Sequence, residues 1–396
     1  MGYNISTKGV ELLERIGLML GYFDPIHLGH LAMVRDAQKV YRLDTVYLYP
    51  LPESSEYTPV LSLKKRRKLI GKCVSDSIKL LSSTIPLVTE DSLIEILSLV
   101  QERHGDAAVF PIMGMDRLSR ITNFAGIYLL PAVKALIVYS RVGYSSEKVV
   151  QLAQGRGAHS IFLRKLSTIP SSEQVREQIS LFNDVPEWVP SRVMHAIARK
   201  GYYLPNYKAM LKPVLSQSRL KHTISVRKTA VDLAYRHDAP MLKTSVAAML
   251  HDCAKCMTHS AMQKIARDKF LTEDGEVLSS PALLHGVVGA YIAKSSYGIR
   301  DKDILNAITY HTVGRPNMTD VELCVLLADS IEPLRPKYPG LEEIRILAKC
   351  DLKSAALASL RTTKSYILSI GGKYSMKAQD AIDDLLKKLT RIHQEV

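Results

Sequence analysis

The chain has 396 residues, 46% of them hydrophobic, which is enough for two domains with cores of their own. Its net charge of +14 is spread over both halves, so it favours polyanionic ligands such as nucleotides and excludes a simple charged tail. No apolar run reaches bilayer length, no basic and then apolar leader opens the chain, and five cysteines (Cys73, Cys253, Cys256, Cys324, Cys350) make no disulfide framework, so a cytoplasmic protein with free thiols is expected.

In chain order, "IGLML" (16–20) predicts a short strand and "HLAMVRDAQKVY" a helix, with Leu31, Val34, Ala37 and Tyr41 at helical spacing. "TVYLYP" (45–50) predicts a second strand. "LSLKKRRKLI" follows as a helix, and its run Lys64 to Lys68 is read as a solvated face, because no aromatic residues interleave it. No nucleic-acid partner is expected. "AAVFPIM" (107–113), "KALIVYS" (134–140) and "SIFLRK" (160–165) are further short apolar runs. Strands separated by helices predict a parallel α/β sheet of Rossmann-like type. From about Tyr207 the pattern becomes helical: "SVRKTAVDLAYRH", "LKTSVAAMLHDCAK", "GVVGAYIAKSSYG", "DKDILNAITYH", "DVELCVLLADSIEPL" and "AQDAIDDLLKKL". An α/β domain over 1–205 and an all-α domain over 206–396 are therefore expected, divided near "GYYLPNYK".

Between the first strand and its helix lies "GYFDPIHLGH" (21–30). Asp24, Pro25, Gly29 and His30 fall on a strand-to-helix turn, where unpaired N–H groups and the helix dipole suit phosphate. His27 and His30, three residues apart, can face one anion. The chain has no G-x-G-x-x-G here, which argues against a dehydrogenase.

This stretch resembles the nucleotidyltransferase superfamily with the H-x-G-H signature, and within it the bacterial nicotinate-nucleotide adenylyltransferases. "IMGMD", "SRVGY", "IPSSEQVR" and "EWVPSRVMHAIARKGYY" follow in family order, and the resemblance spans roughly 13 to 205. It implies transfer of AMP from ATP to nicotinate mononucleotide, with Mg on the phosphates. His27 and His30 would be catalytic. The nucleotide would also meet Gly21, Tyr22, Phe23, Asp24 and Gly29, then Gly114, Asp116 and Arg141, and finally Ser171, Ser172 and Arg176. Four features depart from the family: Tyr22, bulky in a phosphate loop, Glu173, acidic near the anion, and the segments "ESSEYTP" and "VTEDSLIEIL" around the acceptor. A different acceptor, or a nucleotide-sensing module without turnover, is the alternative.

In the second half, His222, His251, Asp252, His285, His311 and Asp329 lie on or beside separate predicted helices. Imidazole and carboxylate ligands without thiolate suit iron, manganese or zinc, and helices can bring them to one pocket. "SRLKHTISV", "AAMLHDCAK", "LLHGVVGAYIAKSSYGI", "ILNAITYHTVGRPNMT" and "LADSIEPLRP" resemble the HD phosphohydrolases, specifically the symmetrical diadenosine tetraphosphate hydrolases. The resemblance implies a dinuclear centre, iron first, with manganese or zinc as alternatives. His222, His251, Asp252 and Asp329 would hold one ion; Asp252 would bridge to a second, held also by His285 and His311. Asp252 and Lys255 would be catalytic, and Arg219, Lys255 and Arg315 would meet phosphate. The expected product is two ADP; hydrolysis of another nucleotide is the alternative. Cys253 and Cys256 form C-x-x-C without a second pair, so neither zinc nor redox chemistry is expected there. The partners expected are small nucleotides (ATP, nicotinate mononucleotide, diadenosine tetraphosphate), with no membrane, and a homo-oligomer is left open.

Overall fold

A computed structural model describes residues 13–53, 57–81, 91–119, 121, 124–140, 145–158, 160–166 and 170–394. The chain divides into two compact units. The first runs up to Glu177 and includes Val185–Val193; the second comprises Gln178–Asp184 and everything from Met194 on.

The first unit is built on six parallel strands: β1 (Arg15–Gly21), β2 (Thr45–Pro50), β3 (Ile78–Leu80), β4 (Ala108–Gly114), β5 (Leu136–Tyr139) and β6 (Ile161–Arg164), in the spatial order 3-2-1-4-5-6. β1, β2 and β4 are buried along almost their whole length. A parallel sheet covered on both faces demands this, and it explains why these strands read as continuous apolar runs. The expected α/β sheet is thus present, and β3 is an additional three-residue strand. Strand order reverses between β1 and β4, and the crevice beyond the carboxyl ends at such a point is where open α/β sheets bind ligands. Gly21 and Gly114 end the two strands there.

The second unit is helical among the described residues. Gln217–Arg236, Met241–Leu250, Pro281–Ser296, Lys302–Tyr310 and Asp320–Ile331 enclose a core that includes Val226, Ala230, Val246, Leu250, Ile304, Ile308, Val325 and Ala328. Their starts carry ordinary caps: Ser216 accepts from Arg219 N–H, Asp301 from Ile304 N–H, and Thr319 forms a capping box with Glu322. Further helices at His259–Asp268, Leu341–Leu347 and Leu352–Ser369 were not distinguished in the sequence. Met194–Lys200 belongs to this unit. Ser245 Oγ donates to Ala198 O, and Asp232 Oδ1 pairs with His195 and Arg199. The crossing between units therefore lies at 177–194, upstream of residue 205, and is made more than once. No helix among the described residues is long and apolar enough to cross a membrane.

One contact fixes the spacing of two of these helices. A Cβ on Gly286 would lie 2.5 Å from Thr309 O, so the Pro281–Ser296 helix meets the end of Lys302–Tyr310 backbone to side-chain-free backbone. Gly286→Ala should therefore lower unfolding free energy by about 1–3 kcal/mol through overpacking. Gly275→Ala, where a Cβ meets nothing within 4 Å, should change it by less than about 0.5 kcal/mol. Urea titrations of the two variants check the contrast; equal stabilities would remove the tight approach.

Candidate functional site

The first site is the crevice at the ends of β1 and β4. After Gly21 the chain turns through Phe23, whose φ is 49°, and enters the Leu28–Tyr41 helix behind His27. A cavity of about 280 Å³ opens there, lined by nine of the expected nucleotide residues: Gly21, Tyr22, Phe23, Asp24, His30, Gly114, Asp116, Ser172 and Arg176. His27 and Gly29 are buried and outside the lining, with the His27 ring 3.7 Å from that of His30. His30 Nδ1 accepts the His27 N–H at 3.3 Å. A neutral His30 then carries its proton on Nε2, as a donor. Ser171 lies outside the cavity lining. Its Oγ accepts from Gln174 N–H while Gln174 Oε1 accepts from Ser171 N–H, so it caps the Ser172–Ser180 helix. Arg141 lies outside the described residues, as do 54–56 and 82–90 within or before the two departing acceptor segments.

The loop itself is held by groups the sequence reading assigned otherwise. Arg66 is 1% exposed; its Nε donates to Leu61 O and its Nη1 to Tyr22 O at 2.6 Å. The solvated-face reading of the Lys64–Lys68 run is thus corrected at Arg66, which shares a buried helical stripe with Leu69 and Ile70. Asp24 accepts from Val60 N–H at 2.7 Å and Leu61 N–H at 3.3 Å, and Arg176 Nη1 donates to Asp24 O. Glu173 and Tyr57 also line the cavity, with Tyr57 4.3 Å from Tyr22, ring to ring.

The second site lies in the helical unit and gathers all six expected ligands. His222 sits within the Gln217–Arg236 helix and His285 within Pro281–Ser296. His251 and His311 are the residues at which Met241–Leu250 and Lys302–Tyr310 end, so the His-Asp pair closes a helix where a continuous one had been expected. Helix ends leave carbonyls unpaired. The two rings use them: His251 Nδ1 bonds Ala248 O and His311 Nδ1 bonds Ile308 O, both at 2.8 Å. His285 Nδ1 bonds Pro281 O at 3.2 Å, and His222 Nδ1 bonds Glu332 Oε1 at 3.0 Å. Each partner can only accept, so each Nδ1 carries the proton and each Nε2 of a neutral ring keeps a lone pair.

Those four lone pairs converge. His222 Nε2 is 2.9 Å from Asp329 Oδ1, and His251 Nε2 is 3.2 Å from Asp252 Oδ2. On the other side of that carboxylate, Asp252 Oδ1 is 3.3 Å from His285 Nε2 and 3.8 Å from His311 Nε2. His285 Nε2 and His311 Nε2 are 3.0 Å apart. Two lone pairs at that distance repel unless a cation lies near them. With the proton on Nδ1, His222 Nε2 and His251 Nε2 face carboxylate oxygens with no hydrogen between them, a costly state that a bound ion would relieve. The donor set is nitrogen and oxygen only, and the overlapping groups His222–His251–Asp252, His251–His311–Asp329 and Asp252–His285–His311 each place their ligand atoms within 4.8 Å. These residues fit one or two divalent metal ions.

The charges in the cluster are coupled: burial opposes a charge on His251, yet Asp252 and Asp329 outweigh it and hold the ring above the usual imidazole range. Burial opposes ionisation of Asp252 and Asp329, yet the imidazoles around them hold both carboxyls well below the usual range, with His251 foremost for Asp252 and His222 for Asp329. Burial, with His285 and His251 nearby, pushes His311 down to about 3, so it stays neutral. Burial also lowers Lys255, whose Nζ lies 3.4 Å from His285 Nε2. Arg219 Nη1 donates to Asp252 Oδ2 at 2.9 Å. Arg315, expected to meet phosphate, is committed to buried Glu322 through both arms of its guanidinium, at 2.7 and 2.9 Å. Arg335 takes a place the sequence reading did not give it, donating to Asp329 Oδ1 and to Asp329 O. Glu332 was missed too, although it stands three residues after Asp329. Cys253 is buried with its thiol pushed up to about 12, and Cys256 is exposed, so the pair shares no environment.

Comparison with known proteins matches the two units separately. Residues 18–151 match the cytidylyltransferase-like family model and residues 219–334 the HD domain model. A symmetrical bis(5'-nucleosyl)-tetraphosphatase of Halalkalibacterium halodurans is 42% identical over 159 residues, 40% of this chain and 84% of that protein. Proteins of Mycoplasma pneumoniae and Mycoplasma genitalium, named probable nicotinate-nucleotide adenylyltransferase/Ap4A hydrolase, align across both units. They are 24% and 26% identical, covering 87% and 89% of this chain and 98% and 99% of theirs. With its cytidylyltransferase-like region ahead and its paired histidines and carboxylates in the matched HD region, the chain belongs to the family of symmetrical bis(5'-nucleosyl)-tetraphosphatases through its C-terminal half.

Proposed function

We propose that the chain is a bifunctional nucleotide enzyme. The first unit transfers AMP from ATP to nicotinate mononucleotide, releasing pyrophosphate. The second hydrolyses diadenosine tetraphosphate symmetrically to two ADP. The observation that carries the reading is the convergence of four imidazole lone pairs on two carboxylates, in a donor set suited to metal-assisted phosphate hydrolysis.

In the helical unit, His222, His251, Asp252 and Asp329 would hold one ion, and Asp252, His285 and His311 a second. Iron is the first choice, with manganese or zinc as alternatives. Bound there, divalent ions would neutralise phosphoryl oxygens and activate water. Asp252 offers Oδ2 to one histidine pair and Oδ1 to the other, which suits a bridging ligand. Arg219, Lys255 and Arg335 stand around the carboxylates as cations for a polyphosphate. In the first unit, the helix N-terminus and the Nε2 donor of His30 would meet the ATP phosphates, with Mg expected on ATP itself. The nucleotide phosphate of the acceptor would attack the α-phosphorus as pyrophosphate leaves.

One observation favours a second reading of the first unit. Glu173 lines the cavity beside Ser172 and Arg176, where it would oppose a triphosphate. A nucleotide sensor would bind ATP and release no pyrophosphate.

Purified full-length protein separates these readings. Pyrophosphate release from ATP should require nicotinate mononucleotide, and His30→Ala should slow it by about a hundredfold while leaving hydrolysis by the second unit unchanged. Full adenylyl transfer in His30→Ala would sink the first assignment. Asp252→Ala should lose bound metal and all hydrolysis while retaining adenylyl transfer. Products of ATP plus AMP from the wild type would contradict symmetrical cleavage.

A further inference from the structure

The four histidines differ in what holds them. His251, His285 and His311 each donate Nδ1–H to a main-chain carbonyl. His222 donates to a carboxylate, that of Glu332, at 3.0 Å. Glu332 is 1% exposed and firmly seated: its Oε2 accepts Leu334 N–H at 2.6 Å, and its carbonyl accepts from Arg345 Nη2 at 3.1 Å. A buried carboxylate behind an Nδ1–H fixes the ring and raises electron density at Nε2, which strengthens that nitrogen as a ligand.

The two halves of the cluster differ in charge as well. His222 and His251 face Asp329 Oδ1 and Asp252 Oδ2, two carboxylates, with Glu332 behind. His285 and His311 lie 3.3 and 3.8 Å from Asp252 Oδ1, with Asp329 farther from them, within 4.8 Å of His311, and Lys255 Nζ lies 3.4 Å from His285. Arg219 and Arg335 also touch the first pair of carboxylates. They are 31% and 33% exposed, so water screens their charge.

We propose that the two metal positions load unequally and that Glu332, acting through His222, is the positioning residue that sets the difference. The ion among His222, His251, Asp252 and Asp329 is the tightly held one. The ion among Asp252, His285 and His311 is exchangeable and completes the centre last. The inference rests on the dinuclear reading above.

The test is a Mn(II) titration of metal-free full-length protein, followed by calorimetry and by metal analysis after equilibrium dialysis. Wild type should bind two ions in two resolved steps. Glu332→Gln keeps the shape and an oxygen able to accept from Nδ1–H but loses the charge. It should weaken the tighter step about 10- to 100-fold and leave the weaker step within about threefold. Circular dichroism reports whether the variant folds. His311→Ala should remove the weaker step and preserve the tighter, and this comparison decides the matter even if Glu332→Gln does not fold. Two steps of equal affinity, equal weakening of both by Glu332→Gln, or loss of the tighter step in His311→Ala would overturn the proposal. Binding of a single ion by wild type would instead overturn the dinuclear reading beneath it.

Discussion

The architecture of the helical unit depends on a repeated hydrogen bond: an imidazole Nδ1–H given to an oxygen that can only accept. Ala248 O, Pro281 O, Ile308 O and the Glu332 carboxylate each take one such proton. The other nitrogen of each ring is thereby committed as a lone pair, and four of them face Asp252 and Asp329 in a buried pocket. Without positive charge this arrangement is costly, since lone pairs face lone pairs across 3.0 Å. A divalent ion bound where the five helices meet would offset that cost.

The two candidate sites present opposite kinds of group. The α/β unit offers donors: a helix N-terminus, the Nε2–H of His30, and the guanidinium of Arg176 beside the crevice that strand order creates between β1 and β4. The helical unit offers acceptors, which are useful to phosphate through a metal intermediary. Of the basic residues nearest the His-Asp cluster, Arg219 and Arg335 hold the carboxylates, and Lys255 Nζ reaches within 3.4 Å of His285 Nε2.

Much of this was legible in the sequence because burial and chemistry leave periodic or compositional marks. β1, β2 and β4 read as apolar runs because both faces of the sheet are covered. The six ligands stood out as histidines and aspartates on separate helical segments, and the structure brings them together. β3 escaped notice because three residues carry no period. Arg66 was hidden inside a basic run, although its i+3 and i+4 neighbours, Leu69 and Ile70, mark a buried stripe. Glu332 and Arg335 lay in a stretch already singled out. Their roles depend on the Asp320–Ile331 helix stopping just before them, so that the chain folds back on Asp329 and His222, and side-chain direction beyond a helix end is not written in spacing. Arg315 illustrates the converse: its partner, Glu322, sits seven residues on, across a loop and a helix start.

If His222, His251, His285, His311, Asp252 and Asp329 form one dinuclear nitrogen and oxygen centre, X-ray absorption fine structure of the Mn-loaded protein tests it most directly. The expected result is a first shell of nitrogen and oxygen without sulfur and a metal–metal vector of about 3.5–4 Å. A sulfur shell from Cys253, or a well-ordered first shell with no metal–metal vector at two ions per chain, would contradict it.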